Sequence, residues 1–92
     1  MIVSFRHKRL KRFYDDDDRS KLPADMIERI QSILTVLDDA KDLETVDRPT
    51  LHLHALRGNL NGFHAVTVRS NWRIIFRFDG INMNDLDFID YH

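Results

Sequence analysis

The chain contains no cysteine, only two prolines and three glycines, and no apolar run near the roughly 20 residues of a membrane helix. Without cysteine there are no disulfide staples, no thiolate metal site and no cysteine nucleophile. The scarcity of glycine and proline, beside 42% hydrophobic and 32% charged residues, excludes a low-complexity or disordered chain and describes an ordinary globular one. The opening Met1-Ile2-Val3-Ser4-Phe5-Arg6-His7-Lys8 lacks the basic-then-apolar order of a signal peptide. The expectation is a cytoplasmic protein with no membrane association. Ninety-two residues suffice for a single domain, 1–92, with one modest core.

Excess charge of one sign is also missing. The formal net charge is −1, which argues against bulk attraction to nucleic acid. The distribution is uneven, however. Arg6, Lys8, Arg9, Lys11 and Arg12 crowd the beginning, Asp15 to Asp18 follow at once, and Arg57, Arg69, Arg73 and Arg77 populate the second half. The first basic group and the acidic run read as solvated surface. The later arginines allow a local basic patch on a globally neutral chain.

Periodicity divides the chain in two. Ile2-Val3-Ser4-Phe5 reads as a short strand, and Leu10, Phe13 and Tyr14 have helical spacing over residues 8–15. Pro23 suits a first helical turn. After it Met26, Ile27, Ile30, Ile33, Leu34 and Leu37 form one apolar stripe of an amphipathic helix, which reads as core. Residues 41–50 look irregular, with Pro49 stopping any helix. From Leu51 onward the pattern becomes strands and turns. Leu51-His52-Leu53-His54-Ala55-Leu56 alternates, as do Phe63-His64-Ala65-Val66-Thr67-Val68 and Trp72-Arg73-Ile74-Ile75-Phe76-Arg77-Phe78. Asp79-Gly80 is a hairpin signal, and a last strand runs through Asn84-Asp85-Leu86-Asp87-Phe88-Ile89. Helices followed by an antiparallel meander predict an α+β fold: a short N-terminal strand and two helices packed on a mainly antiparallel sheet of about four to five strands.

The last strand leads straight into Asp90-Tyr91-His92, so a carboxylate, a phenol and an imidazole are expected to be held rather than frayed. Together with His54, Arg57 and Arg73 on neighbouring strands, these groups suit metal-independent cleavage of a phosphodiester. That reaction removes a proton from a 2′-hydroxyl, stabilises a crowded, doubly charged phosphorane and protonates a leaving 5′-oxygen. Histidine gives or takes a proton near neutral pH, histidine or tyrosine can do the proton transfers, and the planar fork of arginine matches phosphate oxygens. As a pattern alone it is unspecific, because scattered histidines and arginines on strands are usually surface residues.

The segments Leu53-His54-Ala55-Leu56-Arg57-Gly58, Gly62-Phe63-His64-Ala65-Val66-Thr67-Val68, Asn71-Trp72-Arg73-Ile74-Ile75-Phe76-Arg77-Phe78 and Asp90-Tyr91-His92, with the opening residues 2–10, resemble the HigB toxins of the RelE superfamily. The likeness runs nearly end to end. It implies a RelE-like fold and the toxin of a bacterial type II toxin–antitoxin system that cuts mRNA in the ribosomal A site. It also implies a HigA-like helix-turn-helix antitoxin, with operator DNA reached only through that antitoxin. No cofactor or metal is implied. On this resemblance His54, Arg73, Asp90, Tyr91 and His92 fall on the family's functional positions, and Arg57, Arg73 and His64 are the expected RNA contacts. Arg73, with Arg57, would hold the scissile phosphate, and His54 and His92 would share the base and acid roles in unassigned order. Tyr91 would orient or stack on a nucleotide or contribute a proton, and Asp90 would fix a neighbouring imidazole or guanidinium. Many relatives carry lysine where this chain has Arg57, which keeps the charge but not an easily neutralised base.

Bland alternatives stand beside each assignment. His52 reads as exposed sheet surface, His64 as structural or at the edge of an RNA contact, and His7 as the start of the basic helix. Arg77 has Asp85 or Asp87 as ion-pair partners, and Trp72 belongs to the core. A catalytically inactive toxin-fold module that only binds its antitoxin is the rival reading of the whole chain. A histidine metal site on His52 and His54, about 6 to 7 Å apart on one strand face, is a third.

Overall fold

The computed structural model describes residues 1–91. Its sheet grows from the three alternating segments: β2 (His64–Arg69), β3 (Trp72–Phe78) and β4 (Met83–Asp90) pair antiparallel in sequence order, and a two-residue β1 (His54–Ala55) pairs with β2. The chain's first residues complete the far edge. Ile2 and Phe5 bridge Met83 and Leu86 in parallel, and the Val3 and Arg6 amides donate to the Met83 and Leu86 carbonyls at 2.9 and 2.7 Å. The spatial order is therefore β1, β2, β3, β4 and then the N-terminal segment, an α+β fold with one parallel edge.

Three α-helices form among the described residues. α1 (Lys8–Asp16) starts where the His7 Nδ1 accepts from the Leu10 amide at 3.1 Å, and it ends at Asp17 in the left-handed conformation. α2 (Ile27–Asp39) follows a 3-10 turn, Ala24–Met26, that Pro23 introduces with φ −59°. α3 (Leu43–Val46) is a single turn in the stretch expected to be irregular; the Asp42 side chain caps it by accepting from the Thr45 amide at 2.9 Å.

The period of 3.6 in α2 and of 2 in the strands meet in one core. Leu10 and Phe13 of α1 and Ile27, Ile30, Ile33, Leu34 and Leu37 of α2 pack on Val66, Val68, Ile74, Phe76, Leu86 and Phe88 of the sheet. Fully burying such a side chain contributes about 1.5–3 kcal/mol, so this layer dominates stability. Trp72 joins it by stacking on Phe88 with ring centroids 4.7 Å apart. Asp38 near the end of α2 locks the layers together, since its Oδ1 accepts from the Ile2 amide at 2.9 Å and from the Tyr14 hydroxyl at 2.7 Å.

The strand expected over residues 51–56 is shorter than its alternation. Leu51 and Leu53 do turn into the core, and the Leu51 carbonyl accepts from the Thr67 amide at 2.8 Å. His52 then takes φ +50°, a left-handed conformation that interrupts the extended run, and regular pairing begins only at His54. Two register shifts mark the sheet, one between Thr67 and Arg69 and one opposite Asp85, which has φ +55°.

Candidate functional site

Alternation turns the other set of side chains away from α1 and α2. Register places His54 across from Ala65, Ala65 across from Ile75, and Ile75 across from Asp87, one row over four strands. The next row runs Thr67, Arg73, Ile89. The floor of this open face is a small apolar cluster of Leu56, Phe63, Ala65 and Ile75, flanked by Leu60 and Ile89. Polar groups stand around that floor.

His54 is exposed at one edge of the floor. Arg57 follows, exposed, at the start of the 3-10 turn Gly58–Leu60. Arg73 lies two strands away from His54 and one row along, a Cα separation of roughly 12 Å from standard strand spacing and rise. Its Nη1 donates to the Ser70 carbonyl and, at 3.1 Å, to the Trp72 carbonyl. The guanidinium is thus anchored at the β2–β3 turn rather than swinging freely.

The chain's last described residue is anchored at the same turn. Asp90 pairs with Trp72, and the Tyr91 amide donates to the Asn71 carbonyl at 2.8 Å, so the antiparallel register runs one residue past β4. The expectation that this end is held is met for Tyr91; His92 lies outside the described residues. Continued alternation puts Tyr91 on the face of Arg73 and Ile89, diagonal to Arg73 and 44% exposed. Asp90 falls on the opposite parity, with Trp72.

The fold brings His54, Arg73 and Tyr91 to one face. It does not bring His64 there. His64 pairs with Ala55 and Phe76, shares the core-facing side with Val66, and stacks on Phe76 at 5.8 Å; its Nδ1 is buried and makes no hydrogen bond. His52 is exposed on the approach to β1. Among the described residues, no three or more His, Asp and Glu side chains gather in a way that would hold a metal ion.

The far end of the open face carries a second cationic group. The Arg77 and Arg6 guanidiniums lie 4.3 and 5.4 Å from the centroid of the Phe63 ring. Each pairs with a carboxylate of β4, Arg77 with Asp85 at 3.7 Å and Arg6 with Asp87 at 3.9 Å. Arg77 therefore has the ion pair expected of it. Thr67 was not singled out from sequence, yet it sits directly across from Arg73 and one row from His54. Its alternation against Val66 and Val68 already pointed it away from the core; only the pairing of β2 with β3 puts it beside Arg73.

A family model described as the HigB-like toxin, a RelE-like toxin of the type II toxin–antitoxin system HigB, matches residues 3–92. The chain is 38% identical over 92 residues to the Endoribonuclease HigB of Proteus vulgaris, covering 100% of both chains. It is 33% identical over 95 residues to Toxin HigB-1 of Vibrio cholerae serotype O1, covering 100% of this chain and 98% of that one. Among solved structures, the YoeB dimer from Staphylococcus aureus matches with a TM-score of 0.60 at 18% identity, over 100% of this chain and 97% of the other, a likeness of fold.

Proposed function

The chain belongs to the HigB-like family of RelE-like type II toxins, and on that premise we propose that it is an endoribonuclease that cuts mRNA in the A site of the bacterial ribosome. The observation that carries this reading is the open sheet face, where exposed His54, anchored Arg73 and Tyr91 border one apolar floor. A roughly 12 Å span between the Cα atoms of His54 and Arg73 lets an imidazole and a guanidinium approach one phosphodiester from opposite sides.

The reaction is transesterification. A base, His54 or His92, takes the proton of a ribose 2′-hydroxyl; the 2′-oxygen attacks phosphorus; the bond to the 5′-oxygen of the next nucleotide breaks. The other imidazole, or Tyr91, delivers a proton to that oxygen. Products are a 2′,3′-cyclic phosphate and a 5′-hydroxyl, with no net proton consumed. Negative charge grows on the equatorial phosphate oxygens, and Arg73 meets it. Its Nη1 is committed to the Ser70 and Trp72 carbonyls, which pre-sets the plane of the fork and leaves the other nitrogens to serve the phosphate. Arg57 adds a second cation at the His54 edge. Tyr91 orients a nucleotide and Asp90 charge-balances a neighbouring cation, while His64, on the core-facing side against Phe76, keeps the structural role.

The single domain, 1–92, works in the cytoplasm, without cofactor, beside a HigA-like helix-turn-helix antitoxin that silences it and links it to operator DNA. A near-neutral chain gains little affinity from bulk charge, so the ribosome supplies much of the binding. The test is mRNA cleavage on programmed ribosomes by wild type, Arg73→Ala and a chain lacking His92. Cleavage within codons by wild type alone supports the reading. Failure of well-folded wild type across a broad codon set sinks it.

A further inference from the structure

His54 stands on a strand of only two residues, two positions after His52, which is in a left-handed conformation. Such a strand has too few ladder hydrogen bonds to hold a catalytic imidazole in place by itself. What holds the approach to it comes from the other side of the sheet. Arg29 of α2, half-buried, donates from Nη2 to the Thr50 carbonyl at 2.5 Å and to the Thr67 carbonyl at 3.0 Å, and from Nε to the Val68 carbonyl at 3.3 Å.

One planar guanidinium therefore spans two chain segments. Thr50 begins the segment that leads through Leu51 to His54, while Thr67 and Val68 form the irregular step of β2. The same two segments meet again through the Thr67 amide and the Leu51 carbonyl at 2.8 Å, and Leu51 itself donates to the Arg48 carbonyl at 2.9 Å. Beyond the step, Thr67 pairs with Arg73. Arg29 is thus bonded to the approach to His54 on one side and to the residue facing Arg73 on the other.

We propose that Arg29 is a positioning residue for RNA cleavage: its guanidinium clamps the segment preceding His54 onto β2 and so sets the spacing between His54 and Arg73. The inference rests on the reading of His54 and Arg73 as the cleavage site. The geometry needs arginine in particular. A lysine ammonium is a compact point charge that cannot hold three carbonyls in one plane, although it reaches one of them. A displacement of about 1 Å at a catalytic group can cost around a hundredfold in rate. A small cavity of about 140 Å³ adjoins the clamp, lined by Arg29, Ser32, Arg48, Thr50 and Leu51 among others. It gives an external guanidinium ion a route to the gap that Arg29→Ala would leave.

The test compares wild type, Arg29→Met, Arg29→Lys, Arg29→Ala and His54→Ala in single-turnover cleavage on programmed ribosomes, with ribosome affinity measured separately. Amide hydrogen exchange at Thr67 and in the centre of α2 reads local against global opening. The expected result for Arg29→Met is a roughly tenfold to hundredfold slower cleavage step. Ribosome affinity stays unchanged, and exchange accelerates at Thr67 but not in α2. Arg29→Lys recovers part of the rate, and millimolar guanidinium restores part of it to Arg29→Ala. Wild-type cleavage by Arg29→Met beside an inactive His54→Ala overturns the clamp alone. Loss of rate with equal acceleration of exchange in α2 also overturns it, as a purely global effect. Wild-type cleavage by His54→Ala overturns the functional reading and the clamp with it.

Discussion

The Tyr14 hydroxyl donates to Asp38 Oδ1 at 2.7 Å, and the same oxygen accepts from the Ile2 amide, so one carboxylate ties α1, α2 and the N-terminal edge of the sheet. Burial first, and then this bond to a negative partner, pushes the phenol up to about 12 from its ordinary 10.0. The folded protein therefore keeps a proton that the unfolded chain releases. The contribution is fully present below pH 10 and is lost as pH rises through 12. A near-ultraviolet absorbance titration should show a phenolate step close to pH 12 that vanishes in Tyr14→Phe. Denaturant midpoints of that variant should fall less steeply between pH 10 and 12 than those of wild type. A Tyr14 step near 10 would contradict the account.

At the site, general acid–base catalysis by one group is worth about a hundredfold to ten-thousandfold. His54→Ala should therefore slow cleavage by at least about a hundredfold while ribosome affinity stays constant, because an exposed imidazole carries little of the packing. Arg73→Lys keeps the charge but loses the fork anchored on the Ser70 and Trp72 carbonyls. About a tenfold loss of rate is expected, checked by the same single-turnover assay. A lysine variant as fast as wild type would remove the case for fork geometry.

Gly62 has φ +93°, and a Cβ there would meet Arg77 Nη1 at 2.7 Å. Gly62→Ala both strains the backbone and displaces the guanidinium from the Phe63 ring. Destabilisation of about 1–2 kcal/mol follows, read as a lower denaturant midpoint at unchanged slope. Adding Arg77→Ala removes the clash, so the double variant should cost less than the sum of the two singles. Strict additivity would show that the clash is absent.

His7 caps α1 through its Nδ1. His7→Ala should lower stability by about 1 kcal/mol, and His7→Asn, which restores an acceptor, should recover most of it. Thermal unfolding of the two variants decides; equal melting points would remove the cap from the account.

Elements with a repeating apolar period were legible from the chain alone. The stripe from Met26 to Leu37 and the alternation from Trp72 to Phe78 each bury what they predicted, since a helix or strand face must hide its apolar side somewhere. The segment from Leu51 to Leu56 shows the limit. Its alternation is as regular, yet Leu51 and Leu53 pack into the main core while Leu56 joins the cluster on the other face. A left-handed residue at His52 keeps regular pairing from starting before His54, and no local pattern announces it. The single turn of α3 was hidden for a related reason: four residues carry too little periodicity to read, and its cap comes from the Asp42 side chain.

The amino-acid sequence by itself determined the α+β order of elements, the family, and the cast of polar groups near the chain's end. These follow from periodicity and from residue identity, both local properties. Which of those groups share a face was decided by tertiary structure, because strand register depends on partners far along the chain. Pairing of Thr67 with Arg73, and of Trp72 with Asp90, turned Arg73 and Tyr91 toward the His54 side and His64 into the core side. The support beneath His54 is a side chain from α2 reaching carbonyls 21 to 39 residues away, a contact without local signature.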